Sequence, residues 1–101
     1  MTEEKKDHTR EINPEDLFPQ DIYTFMKVLI SSLSSQAWIF LGLVPHPVSK
    51  KTEKDIAQVK IAIDTIEFIH KQIEDKLDEQ EKNAFAELIG NLKLNFIEQN
   101  K

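Results

Sequence analysis

The histidines and one aspartate are the side chains of this chain best suited to acid–base or metal chemistry. The histidines are His8, His46 and His70. His46 stands between two prolines, and His70 occupies a position in a regular apolar pattern, so both could be held in a fixed orientation. Asp64 follows the apolar Ile63 and could face a neighbouring helix. His46, Asp64 and His70 are therefore the weak candidates for a polar site that binds a small molecule or a metal ion.

The spacing of these residues matches no established catalytic arrangement. No histidine stands four residues from another with an acid between them, as a helical zinc-protease motif requires. The sequence has no Cys, which excludes thiolate catalysis, disulfides and cysteine-bound zinc. It has no glycine-rich phosphate loop and no Glu-x-x-His pair of the di-iron bundles. We therefore predict no catalytic residue, no cofactor and no metal.

The charge of the chain is acidic and unevenly distributed. The net charge is −5, and residues 1–21 contribute −4 of it through seven acidic and three basic side chains. This balance disfavours binding to nucleic-acid phosphates. The composition of residues 1–18 predicts a disordered acidic tail. The N-terminus lacks the apolar core of a signal peptide and cysteine is absent, so we predict a cytoplasmic protein.

A long uncharged run, Val28–Ser49, raises the question of a membrane span. Pro45 and Pro47 limit its helical part to about 14 residues, Val28–Leu41, whereas a span needs about 20. We therefore predict a buried helix and no transmembrane segment.

Apolar periodicity predicts three helices, at about residues 19–41, 53–76 and 79–99. Gly42 is expected to end the first helix. Thr52 with Asp55, and Asp78 with Glu81, have the spacing of helix N-caps followed by an acid three residues later. The short connections predict a single all-α domain, an antiparallel three-helix bundle or hairpin.

Two of the helices carry more apolar residues than one face can hold. The predicted inward stripes are Ile22, Phe25, Met26, Leu29, Leu33, Ala37 and Phe40; Ile56, Val59, Ile63, Ile66, His70, Ile73 and Leu77; and Phe85, Leu88, Ile89, Leu92 and Phe96. Off these stripes lie Val28, Ile30, Trp38, Ile39 and Leu41 on the first helix and Ala57, Ile61, Ala62, Phe68 and Ile69 on the second. A helix that is apolar on several sides is buried on several sides, so we expect self-association to complete the bundle.

The serine pairs of the first helix suggest where such an association occurs. Ser31 and Ser35 are four residues apart and lie on one helix face, where small side chains allow another helix to approach. That face is a contact within the chain, an exposed polar strip or a crossing between subunits. The predicted interface residues are Ser31, Ser35, Trp38, Phe40, Pro45 and Pro47.

The string SSLSSQAWIFLGLVPHP, followed by DIAQVKIAID and a C-terminal helix, resembles a family of small bacterial proteins known as domain of unknown function 1844. The matching positions, within roughly residues 22–98, are Phe25, Ser32, Leu33, Ala37, Leu41, Gly42, Pro45, Pro47, Asp55, Ala57, Lys60, Ile63, Asp64, Lys71, Leu77, Glu81, Leu88, Leu92 and Phe96. The chain departs from the family at Asp75 and Lys76, where a Gly-Asn turn is expected. The resemblance implies a bacterial, cytosolic, helical protein and brings no activity, substrate or catalytic residue.

Three functions remain open on the sequence. The favoured one is a non-catalytic helical module that forms a homo-oligomer or binds a protein partner. The second is an enzyme or metal-binding protein that uses the three polar candidates named above. The third is a peripheral membrane protein that uses Trp38, Phe40 and the lysines of residues 50–54.

Overall fold

The computed structural model describes Phe18 and residues 21–101. Within this part the helices are α1 (Ile22–Phe40), α2 (Ile56–Ile73) and α3 (Glu79–Gln99), and a short 3-10 turn, Glu74–Lys76, links α2 to α3. The only strand-like pairing here is an isolated bridge between Leu41 and Lys54. The predicted all-α fold is confirmed. The predicted disordered tail lies, apart from Phe18, outside the described residues.

The start of α2 differs from the prediction. Asp55, and not Thr52, is its N-cap, and the Asp55 carboxylate accepts a hydrogen bond from the Gln58 backbone N–H at 3.3 Å. The Gln58 side-chain amide also donates to this carboxylate at 2.8 Å. These hydrogen bonds, led by that of the side chain, hold the pKa of Asp55 below its usual value. Thr52 lies three residues before this cap, and Lys54, between the two, pairs with Leu41 in an isolated bridge.

The other two helices also begin at aspartates. The predicted capping box of α3 is present: Asp78 accepts from the Glu81 backbone N–H at 2.7 Å, and the Glu81 carboxylate accepts from the Asp78 N–H at 3.2 Å. In α1 the Asp21 carboxylate accepts from the Thr24 backbone N–H at 2.7 Å, which lowers the pKa of Asp21. Each cap satisfies N–H groups that have no partner inside the helix.

Helix α2 is the middle of the fold and packs against both of the others, while α1 and α3 contact each other at few positions. Ion pairs bind α3 to the other helices: Lys27 of α1 contacts Glu81 at 2.6 Å, and Glu67 of α2 contacts Lys93 at 2.5 Å. The core consists of Ile30, Ala37, Leu41, Val59, Ala62, Ile63, Ile66, Ile69, Ile73, Leu77, Ile89 and Leu92. None of the helices in the described part is both long and apolar enough to cross a bilayer.

The buried face of α1 is rotated from the predicted stripe. Ile22, which we expected to face inward, is 62% exposed, whereas Ile30 and Leu41 are fully buried. A helix that is apolar almost all round has no unique stripe, so the position of α2 decides which residues are covered. On α2, Ala62 and Ile69 are buried, although both were expected off the seam.

Candidate functional site

His46 organises the connection between α1 and α2. Its Nδ1 accepts a hydrogen bond from the Val48 backbone N–H at 3.0 Å. Its own backbone N–H donates to the Lys51 carbonyl at 2.9 Å, and its carbonyl accepts from the Lys50 N–H at 2.8 Å. The ring also stands edge-on to Phe40, with 6.1 Å between the ring centroids. His46 is therefore an internal acceptor that closes a tight turn.

His70 and Asp64 lie in two further environments. His70 packs edge-on against Phe85 of α3 at 6.0 Å between centroids, and its Nε2 is buried without a hydrogen-bond partner among the described residues. Asp64 is exposed and pairs with Lys60 at 2.8 Å, a hydrogen bond that raises the pKa of Lys60. The described residues contain no group of three or more side chains placed to hold a metal ion. The structure does not bring His46, Asp64 and His70 into one site.

Four of the predicted interface residues do come together. Ser35, Trp38, Pro45 and Pro47 line a groove of about 380 Å³ between α1 and the connection that follows it, which we call the connector groove. Ile39 and Val44 complete its lining. The two prolines hold the connection against the side of α1 that carries Trp38.

The predicted serine face of α1 is exposed in the structure. Ser31 and Ser35 are exposed, so no helix of the described part packs closely on them. The buried serine is Ser34, which the sequence reasoning missed. The spacing along the helix predicts that Ser34 is buried, because it lies four residues after Ile30 and three before Ala37, on the stripe that faces α2.

A second groove, the helix groove, lies between α1 and α2 and has a volume of about 270 Å³. Its lining residues are Leu33, Gln36, Ala37, Phe40, Gln58, Ile61 and Ala62. Phe40, predicted as an interface residue, lies here, away from the connector groove. Ile61 is 67% exposed at the rim, and Phe68, seven residues later on the same side of α2, is 63% exposed. None of the lining side chains is ionisable.

The side of α2 that faces α3 has another character. There a smaller cleft of about 160 Å³ between α2 and α3 is lined by Lys60, Ile63, Asp64, Lys93 and Phe96. Its rim carries charges of both signs, which suits a solvated surface. On α2 itself, the large apolar side chains left exposed are Ile61 and Phe68.

Comparison with known proteins gives one match. The family model described as "Domain of unknown function (DUF1844)" matches residues 23–98. No curated protein and no solved structure matches the chain. The matched range contains both grooves and nearly all of the three helices.

Proposed function

The chain belongs to the domain of unknown function 1844 family, and from that premise we propose that it is a non-catalytic interaction module, which binds another protein chain through apolar side chains that its own fold leaves uncovered. The observation that carries the proposal is the exposure of Ile61 at the helix groove and of Phe68 further along the same side of α2. We place the protein in the cytoplasm because the sequence lacks cysteine. Its net charge of −5 argues for a protein rather than a nucleic-acid partner.

The arrangement of the exposed apolar side chains supports this reading. Burying a large aliphatic or aromatic side chain completely is favourable by roughly 1.5–3 kcal/mol, so exposed neighbours favour association. Ile61 lines the helix groove together with Leu33 and Phe40, and Phe68 is exposed two turns further along the same side of α2. Exposed apolar side chains that cluster in this way mark interaction sites.

Leu94 of α3 provides a control for position 61. Leu94 is 61% exposed, close to the 67% of Ile61, and Glu98 follows it by four residues on the helix surface. Asp64 likewise follows Ile61 by three residues, so a nearby charge is common to both positions. Leu94 lines neither the helix groove nor the connector groove, and this is the difference that the control uses.

The placement of the aromatic residues argues against the membrane-surface alternative. Trp38 lines the connector groove and Phe40 lines the helix groove, on different sides of α1. Both side chains are half-buried. A peripheral anchor presents its aromatic residues on one face of a helix.

Site-specific photo-crosslinking tests the proposal in the cells that naturally produce the chain. A photoreactive amino acid replaces Ile61 in one variant and Leu94 in the other, at closely similar exposure. We expect a discrete protein adduct from position 61 and none from position 94. The absence of an adduct at position 61, or equal adducts from both positions, would overturn the proposal.

A further inference from the structure

The turn that joins α1 to α2 is closed by a histidine nitrogen that acts as a hydrogen-bond acceptor. Nδ1 of His46 accepts the Val48 backbone N–H at 3.0 Å and lies 3.5 Å from the Ser49 backbone nitrogen. Because a backbone N–H can only donate, Nδ1 carries no proton in this arrangement, and the proton of the neutral ring is on Nε2. We propose that protonation of the His46 ring opens this turn, which makes the connection a pH-sensitive switch that changes the shape of the connector groove.

Protonation of the ring removes the acceptor. Both nitrogens of an imidazolium carry protons, so a protonated Nδ1 places its own N–H against the Val48 N–H. Rotating the ring by half a turn does not restore the hydrogen bond, because Nε2 is also a donor in that state. Histidine is the side chain that commonly changes its charge between pH 5 and 8. The hydrogen bond to Val48 therefore exists only while the ring of His46 is neutral.

The charged residues of the connection contact His46 through their backbone. Lys50 donates its backbone N–H to the His46 carbonyl at 2.8 Å, and the Lys51 carbonyl accepts the His46 N–H at 2.9 Å. Glu53 is the one acidic residue in the range 46–54, and its carboxylate accepts a hydrogen bond from the Ser49 hydroxyl at 2.6 Å. The closed turn therefore holds two lysines, which disfavour a further positive charge, and a carboxylate that already has a partner.

The two helices that the connection joins also leave the ring without an ionic partner. Helix α1 meets it through Phe40, and the sequence has no charged residue in the range 28–49. At the start of α2 the Asp55 carboxylate is bonded to the Gln58 side chain at 2.8 Å. None of the ion pairs among the described residues includes His46. Within this part of the chain, the hydrogen bonds to Nδ1 are therefore the polar contacts that fix the ring.

The backbone at Lys50 favours opening of the turn. Its φ is +64°, in the left-handed region that residues with a Cβ atom adopt only at a cost. The backbone hydrogen bonds between His46 and residues 50 and 51 hold it in this conformation. When the hydrogen bond to Nδ1 is lost, the strain at Lys50 remains while part of the closure is gone, so the open turn becomes more populated.

Opening of the turn acts on the connector groove because His46 stands between two residues that line it. Pro45 and Pro47 both belong to the lining, together with Trp38 of α1. The proline rings fix φ at their own positions, so a change of the backbone at His46 displaces Pro47 as a unit. Acidification therefore moves one wall of the groove relative to Trp38.

Nuclear magnetic resonance of the full chain between pH 7.5 and 5 tests the proposal. At pH 7.5 the ring nitrogens of His46 should show the proton on Nε2. As the ring becomes protonated, the Val48 amide should lose about 5–10-fold of its protection against solvent exchange, after correction for the intrinsic rate at each pH. The emission of Trp38, the single tryptophan, should change over the same pH range.

Two variants separate His46 from the other titrating groups. In His46→Asn the side-chain oxygen can accept the N–H two residues later, and the side chain does not titrate. This variant should keep the Val48 amide protected and the Trp38 emission constant down to pH 5. His70→Leu removes a histidine outside the turn and should leave both responses unchanged. Circular dichroism verifies that the helices persist across the pH range.

Several results would overturn the switch. They are a proton on Nδ1 at pH 7.5, a ring that stays neutral down to pH 5, and a Val48 amide whose protection does not change while the ring is protonated. A response of Trp38 that persists in His46→Asn would also assign the pH dependence to another group. None of these results bears on the proposed interaction function, which depends on position 61.

Discussion

Replacing His70 with leucine should make the protein more stable, although His70 stands in the seam of α2. The Nε2 atom of His70 is buried and has no hydrogen-bond partner among the described residues. Such an atom loses its hydrogen bond to water on folding and gains nothing in return. Leucine has no polar atom to desolvate and is also the better helix former.

The expected gain follows from two opposing effects. Removing an unsatisfied buried polar group recovers about 1–3 kcal/mol. The edge-on ring contact between His70 and Phe85, with centroids 6.0 Å apart, is lost, and such pairs contribute about 0.5–1.5 kcal/mol. The free energy of unfolding should therefore rise by about 1 kcal/mol, equivalent to a Tm increase of about 4–8 °C for a domain of this size.

Urea denaturation measures the change. The chain has a single tryptophan, Trp38, which is half-buried, so its fluorescence reports on the packing of α1 while circular dichroism reports on all helices. Coincident transitions from the two probes would show two-state unfolding and justify comparing free energies.

The same substitution at His46 is the matched control. There the ring nitrogen Nδ1 accepts the Val48 backbone N–H at 3.0 Å, so His46→Leu should lower the free energy of unfolding. If His70→Leu instead lowers it by more than about 1 kcal/mol, the reasoning is refuted, because Nε2 would then have a stabilising partner in solution.

Three further predictions concern two glycines and one helix cap. Gly42 has φ +85°, a left-handed conformation, so Gly42→Ala should lower the free energy of unfolding by about 1–2 kcal/mol in urea titrations. Gly90 lies within α3, and apart from its chain neighbours and the backbone of its own helix no atom stands within 4 Å of where its Cβ would be. Gly90→Ala should therefore raise the free energy of unfolding by about 0.5–1 kcal/mol. Asp55→Asn keeps a capping side chain but does not titrate. Because the fold lowers the pKa of Asp55, the unaltered protein should be more stable than this variant at neutral pH. This difference in the free energy of unfolding should become smaller as the pH falls below 3.8 and through the lowered pKa of Asp55 in the folded protein.

Opposite results would identify specific errors. Equal effects of alanine at Gly42 and Gly90 would mean that the backbone at Gly42 is not left-handed in solution. A difference between the unaltered protein and Asp55→Asn that does not change with pH in urea titrations would show that the Asp55 carboxylate is not the group that caps α2.

The sequence predicted helix ends well where the cap is local. Asp78 and Glu81 form a capping box through hydrogen bonds between residues three apart, so their spacing contains all the information required. Gly42 likewise follows the C-cap of α1 directly, and its left-handed backbone is a local signal for the end of the helix. The prediction of Thr52 as N-cap was wrong: α2 begins at Asp55, directly after Lys54, which pairs with Leu41 thirteen residues away in the sequence.

The candidate site also has features that the sequence predicted and features that only the packing of the helices creates. The sequence predicted Ser35, Trp38, Pro45 and Pro47 as interface residues; the structure gathers them in one groove, and their role as an interface stays a prediction. It did not identify the helix groove, because Gln36 and Gln58 are unremarkable in either helix and become neighbours only when α1 packs against α2. It also grouped His46, Asp64 and His70, which the fold separates.

By itself, the sequence determined the all-α class and the local start and stop signals of the helices, because hydrophobic periodicity and capping act over a few residues. Tertiary structure alone decided which of several apolar sides of α1 and α2 is covered. Ile30, Leu41 and Ile69 are buried while Ile22, Ile61 and Phe68 stay exposed, although all six are large and apolar. Hydrophobic burial has no direction of its own, so only the placement of neighbouring helices selects the face that becomes core and the face left for a partner.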